Sequence, residues 1–105
     1  MDSYEVIVAP KALEQLERYI DYIQYTLMNV QAAEAVWRDA VETRNKLAQV
    51  AGSLRLCGHP VLCERGYRMI PFARHRYVML YRLEGNTAFV DGIYHQLQDY
   101  ENLFI

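Results

Sequence analysis

Nowhere in the chain do about 18 apolar residues run together, so the sequence contains no candidate for a membrane-spanning helix. The opening Met1-Asp2-Ser3-Tyr4-Glu5 lacks the basic and then apolar order of a secretory leader, and a cytoplasmic protein is expected. Cysteine is scarce. Cys57 and Cys63 are the two present, too few for a disulfide framework, and they read as free thiols of a reducing compartment. With His59 they form a Cys-x-His-x-x-x-Cys spacing, but a structural zinc needs a fourth ligand and none lies nearby in sequence. No metal or organic cofactor is implied. Lysine is missing from residue 52 onward, where all six long basic side chains are arginine.

What is present suits one globular domain spanning residues 1–105. Of these residues 52% are hydrophobic and 23% charged, enough for a single core with a net stability of about 5–10 kcal/mol. The net charge of −2 hides an asymmetry. Between Arg55 and Arg82 the chain carries Arg55, Arg65, Arg68, Arg74, Arg76 and Arg82 against Glu64 alone. Guanidinium is the side chain that grips phosphate or carboxylate in a planar, two-pronged way, so a local basic surface is expected; solvated strand edges and hairpin tips are the plainer use of the same residues.

Periodicity orders the elements. Tyr4 to Val8 is short and β-rich, and Pro10 stands where a helix can start. Leu13, Leu16, Ile20, Ile23 and Leu27 follow at helical spacing, with Glu14, Glu17, Arg18 and Asp21 on the wet side. Met28-Asn29-Val30 breaks the stripe. Ala33, Val36, Trp37, Ala40, Val41, Leu47 and Ala48 restart it up to Gly52, so the two helices should form an antiparallel hairpin with Trp37 packed inside it. Residues 53–66 have no period and read as a loop. Strands are expected over Tyr67 to Phe72, Tyr77 to Leu83 and Thr87 to Tyr94, joined by short turns as an antiparallel meander. The tail from His95 to Ile105 can form a short helix carrying Leu97, Tyr100, Leu103 and Phe104. The whole is an α+β fold with the hairpin on one face of a small sheet and the other face open.

In this order the residues resemble the RelE/ParE toxin superfamily over essentially the entire chain. The similar stretches are Tyr4 to Leu16, Ile20-Asp21-Tyr22-Ile23, Gly66-Tyr67-Arg68-Met69-Ile70, Tyr77 to Arg82, and Ile93-Tyr94-His95. The resemblance implies the toxin of a type II toxin–antitoxin pair, as in plasmid stabilisation systems. Its cognate antitoxin would cover the open sheet face with an apolar helix or strand. It also implies one of two targets: messenger RNA cut on the ribosome by a metal-independent endoribonuclease, or DNA gyrase poisoned without enzymatic chemistry. A member that only binds antitoxin is the third possibility.

RNA cleavage without metal needs a base, an acid and cations around the attacked phosphate. The candidate catalytic residues are His95, Arg68, Arg82 and Tyr94, and the candidate nucleic-acid contacts are Arg65, Arg74, Arg76 and Tyr100. The ribonuclease pattern is incomplete, because Ile70, Val78 and Gln96 stand where those relatives carry basic residues. Ile70 and Val78 would floor the pocket with apolar surface. Asp91 inside an apolar strand calls for an arginine partner, Arg68 or Arg82, which would make that arginine structural. His95 at a strand end has its own plainer use, a hydrogen bond to backbone.

Overall fold

The computed structural model describes residues 3–105. Strand β1, Glu5–Val8, turns Val6 and Val8 toward the core and Glu5 and Ile7 outward. Pro10 opens helix α1, Pro10–Asp21, at the first turn, where its missing N–H has no helical partner to lose. Ala12 and Leu16 are its buried residues. The helix continues as a π-helical turn over Tyr22–Thr26, and the chain reverses through Met28, a non-glycine residue at φ 54°. Asn29 then caps helix α2, Val30–Val50, its side chain accepting the Ala32 N–H at 3.0 Å. Leu13 and Leu16 line one groove with Ala40 and Val41, while Ile20 lines another with Ala33 and Trp37, so the helices run antiparallel as expected.

The inward face of α2 is Ala33, Val36, Asp39, Ala40, Thr43 and Leu47. Trp37 and Val41 lie to the side of that inward face, 46% and 40% exposed, in a groove lined by Leu13 and Leu16 of α1 and by Val8, Met79 and Ile93 of the sheet, so Trp37 packs beside the helix–helix seam and not in the core. Small residues at 33 and 40 let the helix backbone sit close to the sheet, with Val36 and Leu47 filling the space beside them.

Strands β2, Arg68–Pro71, β3, Tyr77–Glu84, and β4, Thr87–His95, form the expected antiparallel meander. Strand β1 joins it in parallel with β4, Glu5 opposite Thr87 through Val8 opposite Val90, to make a four-stranded mixed sheet of order β1-β4-β3-β2. Since β1 ends at Val8, the Ile93 N–H further along β4 has no strand partner; Gln15 of α1 supplies the acceptor at 2.9 Å. Leu80 pairs with Gly92 but Tyr81 with Val90, so Asp91 is the extra residue of a β-bulge.

The far face of the sheet is not open. The segment read as a loop contains a short helix α3, Pro60–Glu64, capped by the His59 ring, and the tail forms α4, Tyr100–Phe104. Together they cover Val78, Leu80 and Tyr94, which with Cys57 and Leu62 make a second small core. Phe104 lies edge-on to Tyr67 and Tyr94, and the Glu101 carboxylate accepts the His59 N–H at 2.8 Å. Ile70 belongs to the first core, beneath the helices, and Val78 to the second, so they floor no common pocket.

Gly92 makes room for this closure: a Cβ there would stand 2.8 Å from the Tyr94 ring and 3.1 Å from Phe104. Gly92→Ala is expected to cost about 1–3 kcal/mol by overpacking. Combined with Phe104→Leu it should cost less than the sum of the two single changes, because they share one space. Urea midpoints of the three variants check this, and strict additivity would contradict the packing described.

Candidate functional site

The two faces of β3 separate the residues expected to act together. Alternation along the strands places His95 and Arg68 on the helix-covered face, and Arg82 and Tyr94 on the other. On their shared face His95 is opposite Tyr77 and Arg68 opposite Tyr81. Those positions are four apart on β3, or about 13 Å at roughly 3.3 Å per residue, and two strand spacings across. No hydrogen-bonded acid, base and clamp can form over that distance.

Each of these residues has a local occupation. Arg82 donates from Nε to Asp91 Oδ2 at 2.9 Å, pairs with Glu84, and stacks over Phe89 at 4.6 Å from the ring centre. Tyr67 donates its hydroxyl to the same Asp91 oxygen at 2.7 Å. The carboxylate in the bulge thus has its arginine, and that arginine is Arg82. Arg68 donates to the Leu54 carbonyl at the sheet edge, where Leu56 forms an isolated bridge with it. His95 accepts the Leu97 N–H on Nδ1 at 3.1 Å and lies edge-on to Tyr77, 5.1 Å between ring centres. Tyr94 is buried, and Tyr100 donates to the Met69 sulfur at 3.4 Å. Burial raises the phenol pKa of Tyr19, Tyr67, Tyr77 and Tyr100, so each keeps its proton at neutral pH and none is a ready base.

The remaining arginines are at the periphery. Arg65 is exposed just after α3, and Arg55 lines a shallow cleft of about 540 Å³ beside the β2 edge with Leu54, Leu56 and Met69. Arg74 and Arg76 are exposed on the β2–β3 turn with His75 between them. Sequence reasoning missed the group that holds this turn. Asp39 on α2 is 1% exposed and accepts the Arg74 N–H at 2.9 Å and His75 Nδ1 at 2.7 Å, both on Oδ2. Its Oδ1 is buried and has no hydrogen-bond partner among the described residues. A signal was available, since Asp39 falls on the stripe of Val36, Ala40, Thr43 and Leu47; only the fold brings residue 75 to it.

A second surface is apolar. Two adjoining grooves of about 350 and 300 Å³ follow the seam of α1 and α2 and meet at Trp37, the second reaching down to Val8, Met79 and Ile93 of the sheet. Leu13, Val30, Trp37 and Val41 are its exposed apolar residues, with Arg38, Arg44 and Glu34 at the rim. The described residues contain no cluster of three His, Cys, Asp or Glu able to hold a metal ion, and no helix among them is long and apolar enough to cross a membrane.

A family profile described as the ParE toxin of the type II toxin–antitoxin system parDE matches residues 6–100. Solved structures with the same fold include one described as a chromosomal ParDE TA system from P. aeruginosa. It shares 22% identity at a TM-score of 0.73, covering 89% of this chain and 96% of that one. No curated protein matches the chain.

The two thiols provide a chemical check on the second core. Burial, with the nearby Glu101 carboxylate adding to it, pushes the Cys57 thiol up to about 11, whereas Cys63 is exposed. At pH 8 roughly one Cys57 in a thousand is thiolate. A disulfide reagent should therefore titrate one thiol at once, and the second only in denaturant or at a pH near 11. Two equally fast thiols at pH 8 would mean that α3 and α4 do not close over Cys57.

Proposed function

This chain belongs to the ParE toxin family of type II toxin–antitoxin systems, and from that premise we propose that it arrests growth by binding DNA gyrase and not by cutting RNA. The observation that carries the reading is the dispersal of the ribonuclease candidates. Arg82 is committed to Asp91, Arg68 to a backbone carbonyl, and His95 lies several rungs away from both. A phosphorane has no assembled cationic cradle here, and stabilising one is the main task of metal-independent cleavage. A binding toxin needs only presented surfaces. In this reading Arg68, Arg82, Asp91 and Tyr67 hold the scaffold.

The partner that restrains the toxin is a cognate antitoxin, and we assign its docking to the outer seam of α1 and α2. With both faces of β3 covered, that seam is where the described residues leave two adjoining apolar grooves. An amphipathic helix laid along Trp37 and Val41 would meet Arg38 and Arg44 against Glu34 at the rim, a balance that favours acidic residues on that helix. A half-exposed tryptophan in a groove is the usual anchor of such a contact.

Induced expression should stop growth, and co-expression of the adjacent gene's product should restore it. Plasmid supercoiling by purified gyrase should fall on adding the chain, while messenger-RNA ends sequenced after induction stay unchanged. Ribosome-phased new ends would reject the gyrase reading in favour of RNA cleavage. Trp37→Asp should weaken antitoxin binding by at least about 2 kcal/mol, roughly 30-fold. The variant should still melt cooperatively, at a temperature lowered by the loss of the indole's half-buried surface, because the side chain is outside both cores. Unchanged affinity would move the antitoxin off the seam.

A further inference from the structure

We propose that the turn Arg74-His75-Arg76 is a contact for the phosphodiester backbone of duplex DNA, held in shape by the buried carboxylate of Asp39; the choice of DNA as the nucleic acid rests on the gyrase reading. A carboxylate sunk into the apolar face of α2 is costly unless its bonds are worth more than the solvation it loses. Asp39 spends Oδ2 on the turn alone, taking the Arg74 N–H and His75 Nδ1. A five-residue link such as 72–76 needs no such anchor merely to join two antiparallel strands. What the anchor does is fix the backbone so that two neighbouring guanidinium groups project outward while the imidazole between them is held by one nitrogen. Its other nitrogen has no protein partner among the described residues.

The guanidinium groups are available. Arg76 is exposed and makes no ion pair among the described residues. Arg74 has Glu42 at 3.6 Å, with 72% and 53% of the two side chains exposed. A pair so wet is weak and exchanges readily for a phosphate. The carboxylates facing the turn are thus Glu42, displaceable, and Asp39, buried and already bonded. Since the chain as a whole carries a net charge of −2, attraction to a polyanion has to come from a local site such as this one. Duplex backbone fits better than single strand. Single-strand binders stack bases on exposed aromatic rings, and the rings beside the turn are not free. Tyr77 is 8% exposed and packed among Tyr19, Phe72 and His95, and the Tyr19 hydroxyl is bonded to Gln98 at 2.7 Å.

The test is fluorescence anisotropy of the full chain with a labelled random-sequence duplex over a salt series, without gyrase. The plot of log affinity against log salt should lose about 1.8 units of slope in Arg74→Ala/Arg76→Ala, at about 0.9 per phosphate contact. Affinity at low salt should drop roughly tenfold. Glu42→Gln should raise affinity by freeing Arg74, an effect that a merely structural turn would not produce. The thermal melts of all variants are compared to confirm that they fold. No duplex binding by the unmodified chain, or an unchanged slope in the double variant, overturns the proposal. Because gyrase is absent, a chain that binds duplex through the turn but leaves supercoiling untouched keeps the DNA contact while rejecting the gyrase reading.

Discussion

Strand β3 is buried on both faces, and the other surfaces take their positions from it. From Tyr77 to Tyr81 no residue is more than 8% exposed, so the strand needs cover above and below. The helical hairpin supplies one cover. The segment from Leu54 to Glu64 and the tail through α4 supply the other, with Phe104 seated over Gly92. A strand with two dry faces leaves no floor for a solvent-filled catalytic basin. Polar chemistry is displaced to the ends of the strands and the outer side of the helices.

That constraint separates the arginines physically. On a rung close to the buried stretch a guanidinium must find partners. Arg82 finds the bulged Asp91, Glu84 and Phe89, and Arg68 finds the Leu54 carbonyl. Beyond the ends of the strands, arginines are wetter. Arg74 and Arg76 are on the turn before β3 begins, and Arg55 and Arg65 flank the far-side cover. Among the arginines from residue 55 onward, these peripheral groups can meet a polyanion without abandoning a bond within the sheet.

Most of the architecture was legible in sequence because its signals are local. Pro10, the stripe of Leu13, Leu16 and Ile20, and the strands around Tyr77 to Leu83 and Thr87 to Tyr94 each declare themselves within a window of a few residues. What was misread depends on distant partners. Tyr77-Val78-Met79-Leu80-Tyr81 does not alternate in polarity, a sign of two covered faces, yet the covering residues lie in a segment with no period of its own. Trp37 and Val36 are neighbours in sequence, and apolarity alone could not say which one faces the sheet. Asp91 inside an apolar strand signals an arginine partner, with Arg68 and Arg82 as alternatives in sequence; the bulge that shifts β4 against β3 decides for Arg82. The grouping of His95 with Arg68 was out of reach, since strand register sets their separation.

Helix α2 connects the two outer surfaces. Trp37 and Asp39 are two positions apart, about 200° around a helix with 3.6 residues per turn, so one points into the outer seam and the other toward the β2–β3 turn. Reversing that arrangement would place a charge in the apolar groove and an indole against the turn, and neither would find a partner. The buried acid thus has a consequence beyond its own bonds. It specifies which face of α2 meets the sheet, because rotation by even one residue would pull Oδ2 away from the Arg74 N–H and from His75. The apolar residues on the inner face are small or medium in size and would tolerate a modest rotation. The carboxylate would not, and it is therefore the directional element that holds the seam and the basic turn on opposite sides of one rigid helix.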